Sequence, residues 1–212
     1  MTSPRITGAG RRQTRLTRAR ILEAARRQLG RDPDSSLGDI AEAAGVVRRT
    51  VYDHFACRSA LMEGLVAEAA EALRRALAAA RIPEHDAVTA LAQFVLALWP
   101  VGDRYRTLLG LAPQDLGPAR LDEVLAPARD TARTIIERGR RQGVFHSGLP
   151  PGPLGRAVEG LMLALLDCVN TGAWSDDDGT RAATAALIAV GVDVDLAVAR
   201  VHALHHPERV SA

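Results

Sequence analysis

Apolar residues recur at helical spacing along most of the chain, and this pattern predicts an all-α protein. The first clear example runs over residues 14–30, where apolar side chains return every three or four positions: Ile21, Leu22, Ala24, Ala25 and Leu29. Gly30 then marks the end of this helix, because glycine is typical of helix C-termini. Ala and Leu dominate the 212 residues and only 3% are aromatic, which favours helices over a β-rich fold.

Three helices are predicted after this first one. Ser36 stands three residues before Asp39, so the two side chains can form a capping box that begins a short helix, and Gly45 ends it. A second short helix is predicted over 48–54, and a longer one over 58–81, bounded by Pro83. A helix, a glycine turn and another helix within twenty residues is the helix-turn-helix arrangement.

Beyond Pro83 the chain continues as predicted helices, and we expect about nine in total. The predicted spans are 85–99, 103–112, 119–142, 153–172 and 178–191. Pro127 should kink or split the long helix that contains it, because proline removes a backbone donor. Asp178 is a candidate N-cap for the last of these helices.

These elements predict a three-helix helix-turn-helix domain at residues 1–64, followed by a helical bundle at 65–191. Residues 1–13 are expected to form a flexible basic arm, and residues 192–212 a solvated tail. Several residues could chelate a metal, namely His202, His205, His206 and Glu208 in this tail, with His85 and Asp86. Their spacing defines no closed ligand set, and we expect no metal and no cofactor.

Charge is distributed unevenly, which changes the functional picture. Residues 1–64 hold 12 Arg against 7 acidic residues, whereas residues 65–212 hold 15 Arg against 18. Such an asymmetry suggests that the N-terminal part binds a polyanion, although a solvated basic face would show the same composition. The Arg-rich stretch lacks a bulky apolar face, which argues against a membrane surface.

Composition also excludes several classes of protein. All 27 basic residues are Arg, so no lysine-dependent chemistry is available, and we find none of the usual hydrolase, metalloprotease or phosphate-loop motifs. We therefore expect no enzyme activity. Cys57 and Cys168 cannot form a disulfide framework, and no apolar leader or membrane-spanning stretch is apparent, so a cytoplasmic protein is expected.

Three groups of residues stand out between Arg18 and Leu61: Ile-Ala-Glu-Ala-Ala-Gly-Val at 40–46, Thr-Val-Tyr-Asp-His-Phe at 50–55, and Arg58 with Leu61. Through them this segment resembles the DNA-binding domain of the TetR family of one-component transcriptional regulators. The resemblance implies that the helical bundle at 65–191 is the effector and dimerisation domain. It implies a dimeric regulator, a repressor that binds a palindromic operator and is released by a small apolar or amphipathic effector. The family pairs its last two long helices between subunits, here about 153–172 and 178–191.

In a helix-turn-helix protein, the start of the second helix contacts base edges in the major groove. Arg48 and Arg49 can each bind a guanine, and the Thr50 methyl group suits a thymine, although one arginine could contact phosphate alone. The resemblance and the charge pattern assign phosphate contacts to a further group of residues: Arg15, Arg18, Ser36, Tyr52, His54 and Arg58. Leu22, Leu37, Ile40, Val51 and Phe55 are assigned to the small core instead.

Two positions depart from the family pattern. Val47 opens the second helix where Ser or Thr is usual, so it supplies no capping hydroxyl, at a cost of about 1 kcal/mol. Cys57 stands where a small polar cap is expected, and the neighbouring Arg58 and His54 could make it a redox switch. A purely structural thiol is the commoner role for such a residue.

The sequence indicates less about the effector pocket than about the DNA-binding domain. Its candidate wall residues are Phe94, Trp99, Tyr105 and Met162, with Asn170 as a polar partner and Asp103 or Asp167 as alternatives. The same residues would also fit an ordinary core. Two rival functions stay open at this point, a helical-bundle enzyme and an architectural protein that binds DNA without a ligand.

Overall fold

The computed structural model describes residues 8–84 and 86–205, so residues 1–7 of the predicted arm, His85, His206 and Glu208 lie outside the described residues. Within this part there are nine α-helices and no strand, which confirms the all-α prediction. The helices are α1 (Gly8–Arg31), α2 (Leu37–Ala43), α3 (Arg48–His54), α4 (Arg58–Ala79), α5 (Ala87–Leu116), α6 (Pro118–Arg141), α7 (Pro151–Asn170), α8 (Thr180–Ala189) and α9 (Val194–His205). Residues 8–13 of the predicted flexible arm thus form the first turns of α1.

Helices α1 to α4 enclose a first apolar core. Ile21, Leu22 and Leu29 of α1 are almost fully buried there, together with Val51 of α3 and Phe55. All five residues that the sequence assigns to this core are buried in it: Leu22, Leu37, Ile40, Val51 and Phe55. Tyr105 and Leu108 of α5 complete the cluster, so the N-terminal core includes side chains from the second half of the chain.

Local signals account for the short helices in this region. The Ser36 hydroxyl accepts a hydrogen bond from the Asp39 N–H (3.2 Å), and the Asp39 carboxylate accepts one from the Ser36 N–H (2.7 Å), as the predicted capping box requires. Gly45 has φ of 62°, a left-handed conformation that other residues rarely adopt, and it turns the chain from α2 toward α3. Val47 occupies the N-cap of α3 without a side-chain hydrogen bond.

The two helices predicted at 85–99 and 103–112 are one continuous helix, α5. Pro100 and Pro113 lie inside it, yet neither ends it. Proline in a helix interior costs about 3 kcal/mol, whereas each large apolar side chain that is buried contributes roughly 1.5–3 kcal/mol. α5 buries twelve residues against its neighbours, so packing outweighs the local penalty. The same reasoning explains why α6 continues through the exposed Pro127.

A second apolar core lies between α5 and helices α6 to α9. The last helix predicted at 178–191 is shorter in the structure, and its N-cap is Gly179 rather than Asp178. The Asp178 carboxylate instead accepts a hydrogen bond from the Thr180 N–H (2.9 Å). Part of the predicted tail forms α9. Just before this helix, the Asp193 carboxylate accepts a hydrogen bond from the Asp195 N–H (3.0 Å).

Burial explains why α9 forms in a segment expected to be solvated. Ala197 and Val201 are buried against the second core, so the helix contributes apolar contacts to the bundle. Helix α5 contacts α4, α6, α7, α8 and α9, and it is therefore the element that joins the two cores.

Candidate functional sites

Helix α3 presents its N-terminal residues to the surface. Arg48 and Arg49 are exposed, as is Val47, whereas Val51 on the opposite face is completely buried and anchors the helix. A Cβ at Gly38 would lie 2.9 Å from the Arg48 Nε, so the glycine leaves room for the Arg48 side chain to lie across α2. Thr50 is half-buried at the end of this exposed turn.

The residues predicted to contact phosphate differ in their exposure and in their contacts within the protein. Arg15 and Tyr52 are exposed, and the Arg18 guanidinium lies 5.1 Å from the centre of the Phe55 ring, a cation–π distance. His54 is half-buried beside Phe55. The Ser36 hydroxyl is used in the capping box and also donates to the Asp39 carboxylate (2.7 Å).

Arg58 is half-buried, and its guanidinium makes several hydrogen bonds within the protein. Its Nε donates to the two carboxylate oxygens of Asp115 at 3.1 and 3.3 Å. Its terminal nitrogens donate to the carbonyl oxygens of Ser35 (3.1 Å) and Pro33 (2.8 Å). The side chain therefore links the α1–α2 turn and the start of α4 to the end of α5, an arrangement that no local spacing could have predicted.

Cys57 lies at the N-cap of α4 and is exposed. Hydrogen bonding with the Ser59 side chain, at 3.1 Å from the sulfur, and with the Ala60 backbone lowers the pKa of this thiol. The cause is therefore different from the predicted influence of Arg58 and His54. No cluster of three potential metal ligands occurs in the described ranges, and no helix there is long and apolar enough to cross a membrane.

A cavity of about 170 Å³ lies among α4, α5, α6 and α7. Its wall includes Phe94, Trp99, Tyr105 and Met162, which the sequence analysis named as candidates, whereas Asn170 is exposed at the end of α7 and lies outside it. The remaining wall is formed mainly by aliphatic side chains, among them Leu73, Leu98, Leu109, Leu121, Leu125 and Leu163. Such an apolar concavity with a few polar groups is typical of small-molecule sites.

The polar groups of the wall are hydrogen-bonded within the protein. The Arg129 Nε donates to one carboxylate oxygen of Glu159 (2.7 Å), and a terminal nitrogen donates to the other (2.9 Å). This pairing raises the pKa of the Arg129 guanidinium. The Tyr105 hydroxyl donates to Glu68 (2.9 Å), and burial together with this carboxylate raises the pKa of the phenol. The Trp99 N–H donates to the Asp176 carbonyl oxygen (2.7 Å).

Arg129 and Glu159 were not predicted from the sequence, and they lie 30 positions apart on different helices. Of the polar candidates that were predicted, Asp103 pairs with Arg106 on its own helix and Asp167 is exposed. Only the packing of α6 against α7 brings the arginine and the glutamate together. A lone charged residue within an otherwise apolar helical face was the single available hint.

A short exposed helix held across a glycine turn on a three-helix core defines a helix-turn-helix domain. Residues 21–65 match the family model described as bacterial regulatory proteins, tetR family. Over 65 residues the chain is 45% identical to the HTH-type transcriptional repressor LfrR of Mycolicibacterium smegmatis (strain ATCC 700084 / mc(2)155). That match covers 31% of this chain and 33% of the repressor, so it spans about a third of the relative's length. Residues 21–65 therefore carry a domain that matches the TetR family of regulators.

Solved structures resemble the chain over a much larger part of its length. The TetR-like regulator LfrR from Mycobacterium smegmatis, in complex with proflavine, has a TM-score of 0.66 at 24% identity and covers 85% of this chain and 96% of its own. A tetR-family regulatory protein from Rhodococcus RHA1 has a TM-score of 0.71 at 21% identity, with coverage of 84% and 98%. RolR in complex with resorcinol has a TM-score of 0.56 at 23% identity, with coverage of 90% and 95%. These likenesses establish a common fold.

Proposed function

We propose that the protein is a ligand-responsive transcriptional regulator, a repressor that binds a palindromic operator as a dimer and leaves it when a small apolar or amphipathic molecule enters the pocket. The observation that carries this proposal is the exposed N-terminal turn of α3, with Arg48 and Arg49 outward and Val51 buried beneath them. Two adjacent arginines on a rigid helix can bind guanine edges in the major groove.

The phosphate contacts are proposed for exposed residues around this turn. Arg15, Arg18 and Tyr52 are exposed on α1 and α3, and the charge excess of residues 1–64 favours a polyanion. Ser36 and His54 remain candidates through their positions beside α2 and α3. We no longer assign this role to Arg58, because its guanidinium is bound to Asp115 and two carbonyl groups.

Dimerisation is proposed through α7 and α8. On α7 the exposed residues Ala157, Gly160 and Ala164 recur every three or four positions, opposite the buried Val158 and Leu166. On α8 the side chain of Ile188 is 40% exposed. A helix face of small and apolar residues permits close approach of a second helix, and two subunits would place two α3 helices about one DNA turn apart, roughly 34–36 Å.

Release by a ligand requires that the pocket communicate with α3, and polar contacts between the two cores support this step. Arg58 binds Asp115 at the end of α5, and Arg120 at the start of α6 donates to Glu63 of α4 (3.1 Å). The same ends of α5 and α6 line the pocket. A ligand that prefers one arrangement of these helices shifts the equilibrium by its difference in affinity for the two states.

Fluorescence anisotropy with duplex DNA from the protein's own upstream region tests the proposal, with excess nonspecific competitor at near-physiological salt. The wild type should bind specifically, and the R48A R49A variant should lose roughly 30-fold or more of that affinity while retaining weak, salt-sensitive binding. The matched control is R74A R75A, an adjacent pair of exposed arginines far along α4. Equal binding by the two variants would contradict the assignment of α3.

If the upstream region is not bound, selection from a library of fragments of the source genome replaces it before the outcome is judged. Failure to select any sequence in that library would overturn the proposal. A specific fragment whose complex is unaffected by every pocket ligand would instead favour an architectural protein.

The oligomeric state is tested separately by sedimentation equilibrium. Ala164→Glu should produce monomers, because it places a charge on the proposed interface. Ala79→Glu, an equally exposed alanine at the end of α4, should leave the dimer intact. Dimers of both variants would exclude this face of α7.

A further inference from the structure

We propose that the pocket selects uncharged apolar molecules, and that the ion pair between Arg129 and Glu159 sets this preference. The inference rests on the proposed function for its biological meaning, since it names the ligand class of the same pocket. It concerns binding alone, however, and can be tested without DNA.

The pair belongs to a compact cluster of four charges between α6 and α7. A terminal nitrogen of Arg129 also donates to Asp122 (3.0 Å), and Arg156 lies 3.5 Å from Asp122 and 3.4 Å from Glu159. Two guanidinium groups and two carboxylates give this cluster a formal charge of zero. Only about a quarter of the Arg129 side chain and a fifth of the Glu159 side chain are exposed.

The polar wall groups beyond this cluster also have partners. Trp99 donates to the Asp176 carbonyl oxygen, and Tyr105 donates to Glu68. Along the wall as described, no other side chain carries a polar atom. A charged ligand would therefore meet no unpaired counter-charge.

Two costs follow for a charged ligand. It could bind with its charge uncompensated against the apolar wall, which is strongly unfavourable. Alternatively it could displace Arg129 or Glu159 from the pair, which leaves the displaced group half-buried without its principal partner. An uncharged apolar molecule meets neither cost and gains from the burial of its surface.

Removing one charge of the pair should change this selectivity in a direction that depends on which charge is lost. Arg129→Met changes the formal charge of the cluster from zero to −1 and leaves Glu159 without its principal partner. Glu159→Gln changes it to +1 and leaves Asp122 as the one carboxylate partner of Arg129 within the cluster. The double variant R129M E159Q returns the cluster to zero.

Calorimetric titration with three naphthalene probes of similar size tests these expectations: 2-naphthalenemethanol, 2-naphthylmethylammonium and 2-naphthoate. The wild type should bind the neutral alcohol about tenfold more tightly than either ion, because neither ion finds an unpaired counter-charge. R129M should improve the relative affinity of the ammonium probe about fivefold or more, and E159Q that of naphthoate, with the double variant restoring the preference for the alcohol.

Two controls locate the effect. Arg133→Met removes an exposed arginine of the same helix that pairs with Asp130, and it should change none of the affinities. Ala128→Phe fills the cavity and should abolish binding of the alcohol, since Ala128 belongs to the wall.

Several outcomes would overturn the proposal: a wild type that prefers a charged probe, an unchanged order of affinities in both single variants, or binding that survives A128F. A wild type that is folded by circular dichroism but binds none of the probes would overturn it as well. If R129M does not fold, E159Q and the double variant still test whether the ion pair sets the ligand preference. Each of these results leaves the operator test untouched, so the failure of one proposal can be distinguished from the failure of the other.

Discussion

The N-terminal helices and the C-terminal bundle each enclose an apolar core, but they differ in how far local signals define their helices. In the first, a capping box at Ser36 and a left-handed turn at Gly45 define the helices from within a few residues. In the second, α5 passes through Pro100 and Pro113 because its neighbours bury it. A family pattern is therefore visible in the first region, where residues that interact are also close along the chain. It is much less visible in the second region.

The largest expected effect compares the two cores directly. Ile21→Ala and Ile136→Ala each remove the same atoms from a completely buried site, one in each core, and each should lower the free energy of unfolding by about 3 kcal/mol. Because Tyr105 and Leu108 of α5 belong to the N-terminal core, we expect one cooperative transition in both variants. Thermal unfolding followed by calorimetry checks this, and two separate transitions would show that the cores unfold independently.

A smaller effect is expected at the contact between the two regions. Arg58→Ala removes hydrogen bonds to Asp115 and to two carbonyl groups, and it should cost about 2 kcal/mol in urea unfolding. Asp115→Asn should cost less, since the carbonyl contacts remain. Arg133→Ala, which breaks an exposed pair within α6, should cost about 0.5 kcal/mol or less.

The R58A variant also distinguishes a role of Arg58 within the protein from a contact with phosphate. If Arg58 does not bind phosphate, R58A leaves the slope of log affinity for DNA against log salt concentration unchanged. A slope reduced by about 0.9 would instead show that one phosphate contact had been lost, and would restore the role first suggested by the sequence.

Two carboxylates that accept hydrogen bonds near the starts of α2 and α8 permit a comparison across the two regions. Ser36→Ala should destabilise the protein by about 1 kcal/mol, because one N-terminal N–H of α2 loses its acceptor. Hydrogen bonds from Ser36 lower the pKa of Asp39, and hydrogen bonds from Thr180 lower the pKa of Asp178. A lowered pKa in the folded state means that the stabilisation is present above the unfolded pKa of about 4 and is lost as the pH falls through the folded value.

We therefore expect Asp39→Asn and Asp178→Asn to be less stable than the wild type at pH 7, with both differences disappearing in acid. Urea unfolding as a function of pH measures this. A difference that persisted unchanged at pH 2 would show that the charge of the carboxylate is irrelevant to the cap.

The smallest effects concern two glycines around which an added Cβ would meet no neighbour. Gly45→Ala should destabilise the protein by about 1 kcal/mol, because alanine is strained at positive φ. Gly110→Ala, within α5, should stabilise it by about 0.5–1 kcal/mol, because alanine has the higher helix propensity. Melting temperatures of the two variants should shift in opposite directions, and a shift in the same direction would refute the conformational explanation.

Several features could be predicted because their causes are local. The Ser36–Asp39 cap, the turn at Gly45 and the burial of Val51 and Phe55 depend on residues a few positions apart. The second core was harder to predict. Asp193 and the small apolar face of α9 are ordinary features of a solvated tail as well, and only the presence of a bundle to cover Ala197 and Val201 makes that segment a helix.

The sequence by itself determined the all-α class, the helix-turn-helix domain and the outward position of Arg48 and Arg49, because helical periodicity and turn chemistry act over short distances. Tertiary structure alone decided that Arg58 binds Asp115 and that Arg129 meets Glu159 in the pocket wall. These pairs join residues 57 and 30 positions apart, on helices whose relative placement results from the packing of whole apolar faces. The chemistry of a side chain determines which groups it can pair with, but the packing of the helices determines which of those groups lies close enough.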